Sequence, residues 1–196
     1  MIQPIRVGFA LTGSFCTHDR ALSALQMLLD KGYAVTPILS EAAGTFDTRF
    51  GTAAELRGKL EQMTGNSIID TVVAAEPIGP KKLFDVLVVA PCTANTLAKL
   101  QAGIVDGTVP MAVKSHLRGD RPVVLAVSTN DGLAGNAANL GALLNRRGYY
   151  FVPFGQDSAF KKPRSLVADF TKLPQTVETA LRGEQLQPML YGTPAG

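Results

Sequence analysis

Three short stretches of this sequence combine a helix start with side chains able to hold an anion. Thr12-Gly13-Ser14-Phe15-Cys16-Thr17 follows an apolar run and precedes a helical pattern. Gly13 would let the backbone turn. Ser14 and Thr17 bring hydroxyls to backbone N–H groups that lack intrahelical acceptors, a phosphate-binding design. A plain helix-capping turn has the same composition, and the full GxGxxG dinucleotide pattern is absent. In Ser40-Glu41-Ala42-Ala43, after a second apolar run, Ser40 is placed to donate to a phosphate oxygen. The stretch Ala90-Pro91-Cys92-Thr93-Ala94-Asn95-Thr96-Leu97-Ala98-Lys99-Leu100 packs several polar side chains at one helix start, more than capping asks for.

The titratable candidates are few. Cys16 and Cys92 both fall at such turns, where a helix N-terminus lowers a thiol pKa; small packing residues are the alternative, since spacing names no His or Asp partner. His18 is positioned as a general acid or base, or as an ordinary capping histidine. His116, close to Arg118, suits a helix end, where its charge would complement the dipole. Asp106 is open between a cap, an ion pair and a boundary between subunits. No catalytic residue is assigned. The two cysteines form no CxxC or zinc spacing, so neither a metal site nor a disulfide scaffold is expected.

The elements that must position these residues alternate. Apolar runs at Ile5–Leu11, Ala34–Leu39, Phe84–Ala90, Pro122–Val127 and Tyr149–Pro153 read as strands. Helical patterns lie between them: one after Thr17 with Ala21, Leu22, Leu25, Leu28 and Leu29 on one face, then Ala53–Met63, Thr93–Ala102, Pro110–Leu117 and Asn136–Arg147. That rhythm predicts βαβ units and a parallel sheet covered on both faces. Ile68–Ala74 is apolar but short, and its type is open. From Phe154 the chain becomes a polar loop with a last helix at Pro174–Leu181, and Gln185–Gly196 reads as a docked or frayed end. Strand-to-helix turns are where such a sheet binds ligands, and all three candidate stretches are such turns.

With 196 residues and about 150 per domain, one domain is expected, 1–196, with 154–196 a C-terminal extension. At 46% hydrophobic and 18% charged, the chain is neither disordered nor fibrous. A net charge of +3 is by itself too small to argue for nucleic acid or a membrane surface as partner, and neither is expected. The N-terminus has no signal-peptide pattern and no apolar run is long enough to span a bilayer, so a cytoplasmic location is expected.

The segment Pro91-Cys92-Thr93-x-x-Thr96-Leu97-Ala98-Lys99-Leu100, followed by Gly103-Ile104-x-Asp106, resembles the signature helix of the flavoprotein family that contains flavin-dependent cysteine decarboxylases and flavin prenyltransferases. The resemblance implies a flavodoxin-like, Rossmann-like three-layer α/β sandwich with a mostly parallel sheet. It also implies an FMN site at Gly13, Ser14, Thr17, Ser40, Pro91, Cys92, Thr93 and Thr96, and a homo-oligomer. Ala126-Val127-Ser128-Thr129-Asn130 stands where the family has a Pro-Ala-Met-Asn substrate motif; Asn130 matches, while Ser128 and Thr129 depart.

Further segments are similar to one branch of the family, the flavoprotein-like components of two-component synthases that make a pyridine dicarboxylate in endospore-forming bacteria. These include Thr48-Arg49-Phe50-Gly51, Glu76-Pro77-Ile78-Gly79-Pro80-Lys81, Pro153-Phe154-Gly155-Gln156-Asp157 and Phe160-Lys161-Lys162-Pro163. That branch implies a dicarboxylate substrate, a separate dehydrogenase-like partner with NADP or NAD available through it, and the mother-cell cytoplasm. A dicarboxylate calls for Arg, with Lys in support, so Arg49, Asn130, Lys161 and Lys162 are the expected substrate contacts. For Lys161, Lys162 and Arg164 a solvated face or an interface patch is equally open. The family decarboxylases' histidine has no counterpart, since no histidine lies between His18 and His116. The prenyltransferases' Arg-Glu-x-Pro-Leu is replaced by Ser128-Thr129-Asn130-Asp131. A solitary decarboxylase or prenyltransferase, and a non-catalytic partner that binds a phosphate or carboxylate, remain the rival readings.

Overall fold

The computed structural model describes residues 3–191. Five parallel strands form the centre: β1 (Arg6–Leu11), β2 (Ala34–Leu39), β3 (Val86–Cys92), β4 (Val123–Thr129) and β5 (Tyr149–Phe151). Their spatial order is β2-β1-β3-β4-β5, the flavodoxin-like order, with its switch point between β1 and β3. All seven residues of β3 are buried, as are five of six in β1. Strands wetted on neither face need no polar alternation, which is why they read as continuous apolar runs.

Helix α1 (His18–Asp30) buries Ala21, Leu22, Ala24, Leu25 and Leu28. It packs with α8 (Leu173–Leu181) over β3. In the other helical layer, α6 (Thr108–Leu117) lies on β2, β3 and β4 between α4 (Val72–Ala75) and α5 (Ala94–Ala102), and α5 packs on α7 (Ala137–Leu144). The short α2 (Glu41–Thr45) and α3 (Ala53–Thr64) follow β2. A reciprocal cap between Thr52 and Glu55 starts α3, and Gly65 stops it at φ 66°, a left-handed conformation that glycine adopts without a Cβ penalty. Glu41 caps a helix other than its own: its Oε1 accepts from Thr108 N at 2.8 Å and from Thr108 Oγ1 at 3.0 Å.

Apart from shorter ends of β5 and α7 (Ala137–Leu144), the structure departs from the expected elements in four places. The open segment Ile68–Ala74 contributes a single bridge, Ile69 to Ile38, and then turns into α4, whose first turn Thr71 caps. Strand β3 continues past Ala90 through Pro91 and Cys92, with a register shift against β4. Strand β4 likewise runs on to Thr129. The tail from Phe154 is more than a loop and a helix: β6 (Phe154–Gly155) and β7 (Leu166–Ala168) pair antiparallel, and β7 adds to the end of β4. These strands are too short for a periodic signal.

The chain end docks as far as Tyr191. Phe154 N donates to Met189 O at 2.9 Å and the Tyr191 hydroxyl to Val167 O at 2.7 Å. The rest of the expected end, 192–196, lies outside the described residues. Among the described residues no helix is long and apolar enough to cross a membrane.

Candidate functional site

Beyond the carboxyl ends of β1, β3 and β4 lies a cleft of about 700 Å³, within the size range of small-molecule sites. Its floor is a hydroxyl cluster. Ser14 Oγ and Ser128 Oγ are 2.9 Å apart, Thr17 Oγ1 is 3.2 Å from the same Ser128 Oγ, and Thr17 Oγ1 donates to Ser14 O at 2.9 Å. A second bridge underlies it. Buried Thr12 donates through Oγ1 to Pro91 O at 2.7 Å and accepts there from Thr93 N at 3.2 Å. The turns after β1 and β3 are thereby fixed to each other.

Two helix starts open onto this floor. Thr93 caps α5 by accepting from Thr96 N at 3.3 Å. That leaves the first-turn N–H groups of Ala94 and Asn95 without intrahelical acceptors, and both residues line the cleft. On the β1 side, Gly13 N and Ser14 N find no backbone acceptor among the described residues. Gly13 is not there for a left-handed turn, since its φ lies outside that region. A Cβ on it would come no closer than 3.6 Å, to Ala42 Cβ. What the glycine provides is a bare backbone edge on the cleft, open to close approach by a ligand. Open amides and hydroxyls converging from two turns fit the phosphate of a nucleotide-type cofactor, and Gly13, Ser14, Thr17, Thr93, Ala94 and Asn95 are the residues that would hold it.

The outer wall is charged. Thr48 and Gly51 close a tight turn through mutual backbone bonds of 3.0 and 3.1 Å. Arg49 and Phe50 stand at its tip, with the guanidinium 4.8 Å from the Phe50 ring centre. Arg20 joins Arg49 in the lining, and neither forms a salt bridge among the described residues. Lys162 also lines the cleft, paired with Asp157 at 3.2 Å. The Ser165 hydroxyl, followed by Lys162, holds the Asp157 carboxyl below its ordinary pKa. Asn130 projects from the turn after β4, which Asp131 organises by accepting from Thr129 Oγ1 and from Asn136 Nδ2.

Of the expected cofactor contacts, Gly13, Ser14, Thr17 and Thr93 line the cleft; of the substrate contacts, Arg49, Asn130 and Lys162 do. Four expected cofactor contacts stand elsewhere. Ser40 caps α2, accepting from Ala43 N at 3.2 Å. Pro91 and Cys92 are buried within β3, and buried Thr96 turns its hydroxyl to Thr93 Oγ1 at 3.0 Å. Lys161 is exposed outside the lining.

Cys92 is fully buried, and burial pushes its thiol pKa up, opposite to the lowering that a helix N-terminus would give. His18 Nε2 donates to Thr12 O at 2.8 Å and burial lowers its pKa. The imidazole faces a separate cavity of about 140 Å³ beside α2 and α3. His116 does lie in the last turn of α6, but it is 1% exposed and burial pushes its pKa down to about 4. It is neutral and gives the dipole no charge. Asp106 pairs with Lys99 at 2.8 Å. Sequence reasoning missed Arg20, Asn95, Asp157 and Ser165. Arg20 had a usable signal, for it lies three residues after Thr17 and shares its helical face.

Residues 1–153 match the family model described as Flavoprotein. The B subunit of dipicolinate synthase from Bacillus subtilis (strain 168) is 46% identical over 185 residues, which is 94% of this chain and 92% of that protein. The crystal structure of the corresponding dipicolinate synthase B subunit from Bacillus halodurans superimposes with a TM-score of 0.88 at 44% identity, covering 96% of each chain. An FMN-dependent cysteine decarboxylase is 20% identical, with a TM-score of 0.66 over 92% of this chain and 96% of its own. At that identity the likeness concerns the fold.

Proposed function

The chain belongs to the flavoprotein family, and from that premise we propose that it is the B subunit of a two-component dipicolinate synthase. It takes part in oxidising a dihydrodipicolinate-type intermediate to pyridine-2,6-dicarboxylate, together with the dipicolinate synthase A subunit, in the mother-cell cytoplasm of a sporulating bacterium. The observation that carries this reading is the 46% identity, along nearly the full length of both chains, to a dipicolinate synthase B subunit. The cleft agrees with it, pairing an open-amide, hydroxyl-lined floor with a cationic wall.

Aromatisation of the dihydropyridine ring removes two electrons and two protons, and a bound FMN would supply a two-electron acceptor for them. The chain's residues bind and orient. Gly13, Ser14, Thr17 and Thr93 would hold the cofactor phosphate at the two helix starts. Arg49 grips one carboxylate of the dianion through its planar fork. Lys162 adds charge, Asn130 donates a hydrogen bond, and Lys161 reinforces the field from outside the lining. NADP or NAD reaches the reaction through the A subunit, while the B chain acts as a homo-oligomer.

Among the described residues the cleft lining contains no histidine and one carboxylate, Asp157, which Ser165 and Lys162 hold ionised. That specific feature favours a second reading, in which this chain shapes the substrate site while its partner moves protons and electrons. Deleting only this chain from a sporulating strain tests the main assignment. Dipicolinate formation is expected to stop, and formation at the parental level would remove the protein from that synthesis.

A further inference from the structure

One aromatic side chain stands wholly in water. Phe160 is 101% exposed, at the crest of the loop that leads from β6 to β7, and Lys161 and Arg164 are exposed beside it. An aromatic ring presents some 150–250 Å² of largely apolar surface, and here none of it is spent on the core. The loop is nonetheless held in shape. Lys162 N donates to Ser158 O at 2.7 Å and Ser165 N to Lys162 O at 3.0 Å. Gln156 Nε2 donates to Pro163 O at 2.8 Å and Ser165 Oγ to Asp157 Oδ1 at 2.7 Å. An aromatic flanked by cations on a braced loop has the composition of an interface anchor, and bracing lowers the ordering cost of binding.

We infer that the loop of residues 157–165 is a docking element that inserts Phe160 into an acidic-rimmed apolar pocket of the A subunit, bringing that partner over the mouth of the cleft. The inference rests on the two-component reading above. Charge argues for the occupant: neither Lys161 nor Arg164 forms a salt bridge among the described residues. A two-fold contact of the loop with itself would set these like charges against each other, whereas an acidic partner surface complements them. Position argues for the consequence. Asp157, Lys162 and Ser165 at the base of the same loop line the cleft, so a protein seated on Phe160 shields the site from water and can bring to it groups the cleft lacks.

The test is equilibrium binding of the full-length chain to the purified A subunit from the same organism, at low and moderate salt, for the native chain, Phe160→Ala and the double variant Lys161→Glu with Arg164→Glu. Phe160→Ala is expected to weaken binding about tenfold or more. The charge reversal is expected to slow association and flatten its salt dependence. Thermal unfolding of both variants should match the native chain, because Phe160 touches no core. If the native chain with its A partner makes dipicolinate but the variants bind as tightly as native, the docking inference falls and the functional reading stands. If the native chain neither binds the A subunit nor supports dipicolinate formation, both fall. Variants that lose self-association while keeping native affinity for the A subunit would assign the loop to a second copy and overturn the inference.

Discussion

The hydroxyl oxygens of Ser14 and Ser128 lie 2.9 Å apart, joining the turn after β1 to the last residues of β4 across 114 positions of sequence. Ser128 is 4% exposed, and Thr17 Oγ1 reaches it as well. Ser128→Ala should therefore lower unfolding stability by about 1 kcal/mol, the net value of an intramolecular hydrogen bond. Urea denaturation measures this, and a midpoint equal to the native chain would show that the cluster does not brace the turns.

Thr12 is the stronger brace, because its hydroxyl serves a donor and an acceptor at once in a site only 1% exposed. Thr12→Val keeps the shape and strands both Thr93 N and Pro91 O, at a cost of about 2 kcal/mol or more. Thr12→Ser, which retains the hydroxyl, should lose much less. Equal losses in the two variants would point to the methyl group rather than the hydrogen bonds.

Arg49 is expected to act through its fork on a carboxylate. In the reconstituted synthase, Arg49→Ala should raise KM for the dicarboxylate about tenfold or more and change kcat less, with Arg49→Lys recovering only part of the loss. Arg20, the other guanidinium of the lining without a salt bridge among the described residues, should give a KM effect in the same direction. Native KM in Arg49→Ala would take this residue out of the substrate site.

His116 makes stability depend on pH in a defined window. Its Nε2 donates to Pro122 O at 3.1 Å, and Nδ1 is buried without a partner among the described residues. Burial lowers the folded pKa from 6.5 to about 4. Between those values the unfolded chain takes up a proton that the folded chain refuses, so stability falls as pH drops from 6.5 toward 4 and this residue costs nothing further below that. The loss is on the order of 3 kcal/mol. His116→Gln, which keeps a donor but does not titrate, should flatten that slope in denaturation curves taken between pH 7 and pH 4.5. Asp85, held down chiefly by Arg6, belongs to a lower range. Its contribution is present above the ordinary carboxylate pKa and is lost only as pH falls below it.

The central strands and the helix starts were legible because both leave local marks: unbroken Val, Leu and Ile in β3, and hydroxyls heading α2 and α5. The antiparallel pair β6–β7 was not, since a strand of two or three residues has no period and is specified by what it pairs with. The cleft floor was legible at Gly13, Ser14, Thr17 and Thr93. Ser40 stands outside the cleft lining and accepts from Ala43 N at 3.2 Å; a hydroxyl that caps a helix and one that faces a ligand look alike in sequence. Pro91, Cys92 and Thr96 are part of a signature, yet here they support the site from beneath it. Arg20 and Asp157 come from distant elements and meet only through the fold. His116 looked like a charge for a helix dipole because sequence does not report that the fold buries it beside Pro122.

The most direct test is the visible absorption spectrum of the purified chain after incubation with FMN and gel filtration, with and without the A subunit, for the native protein and Ser14→Asp. The account predicts a retained flavin band near one equivalent for the native chain and none for Ser14→Asp, whose carboxylate would repel a phosphate at the hydroxyl floor. No retained flavin in the native chain under either condition would contradict it. Equal retention in Ser14→Asp would contradict the placement of the phosphate at that turn.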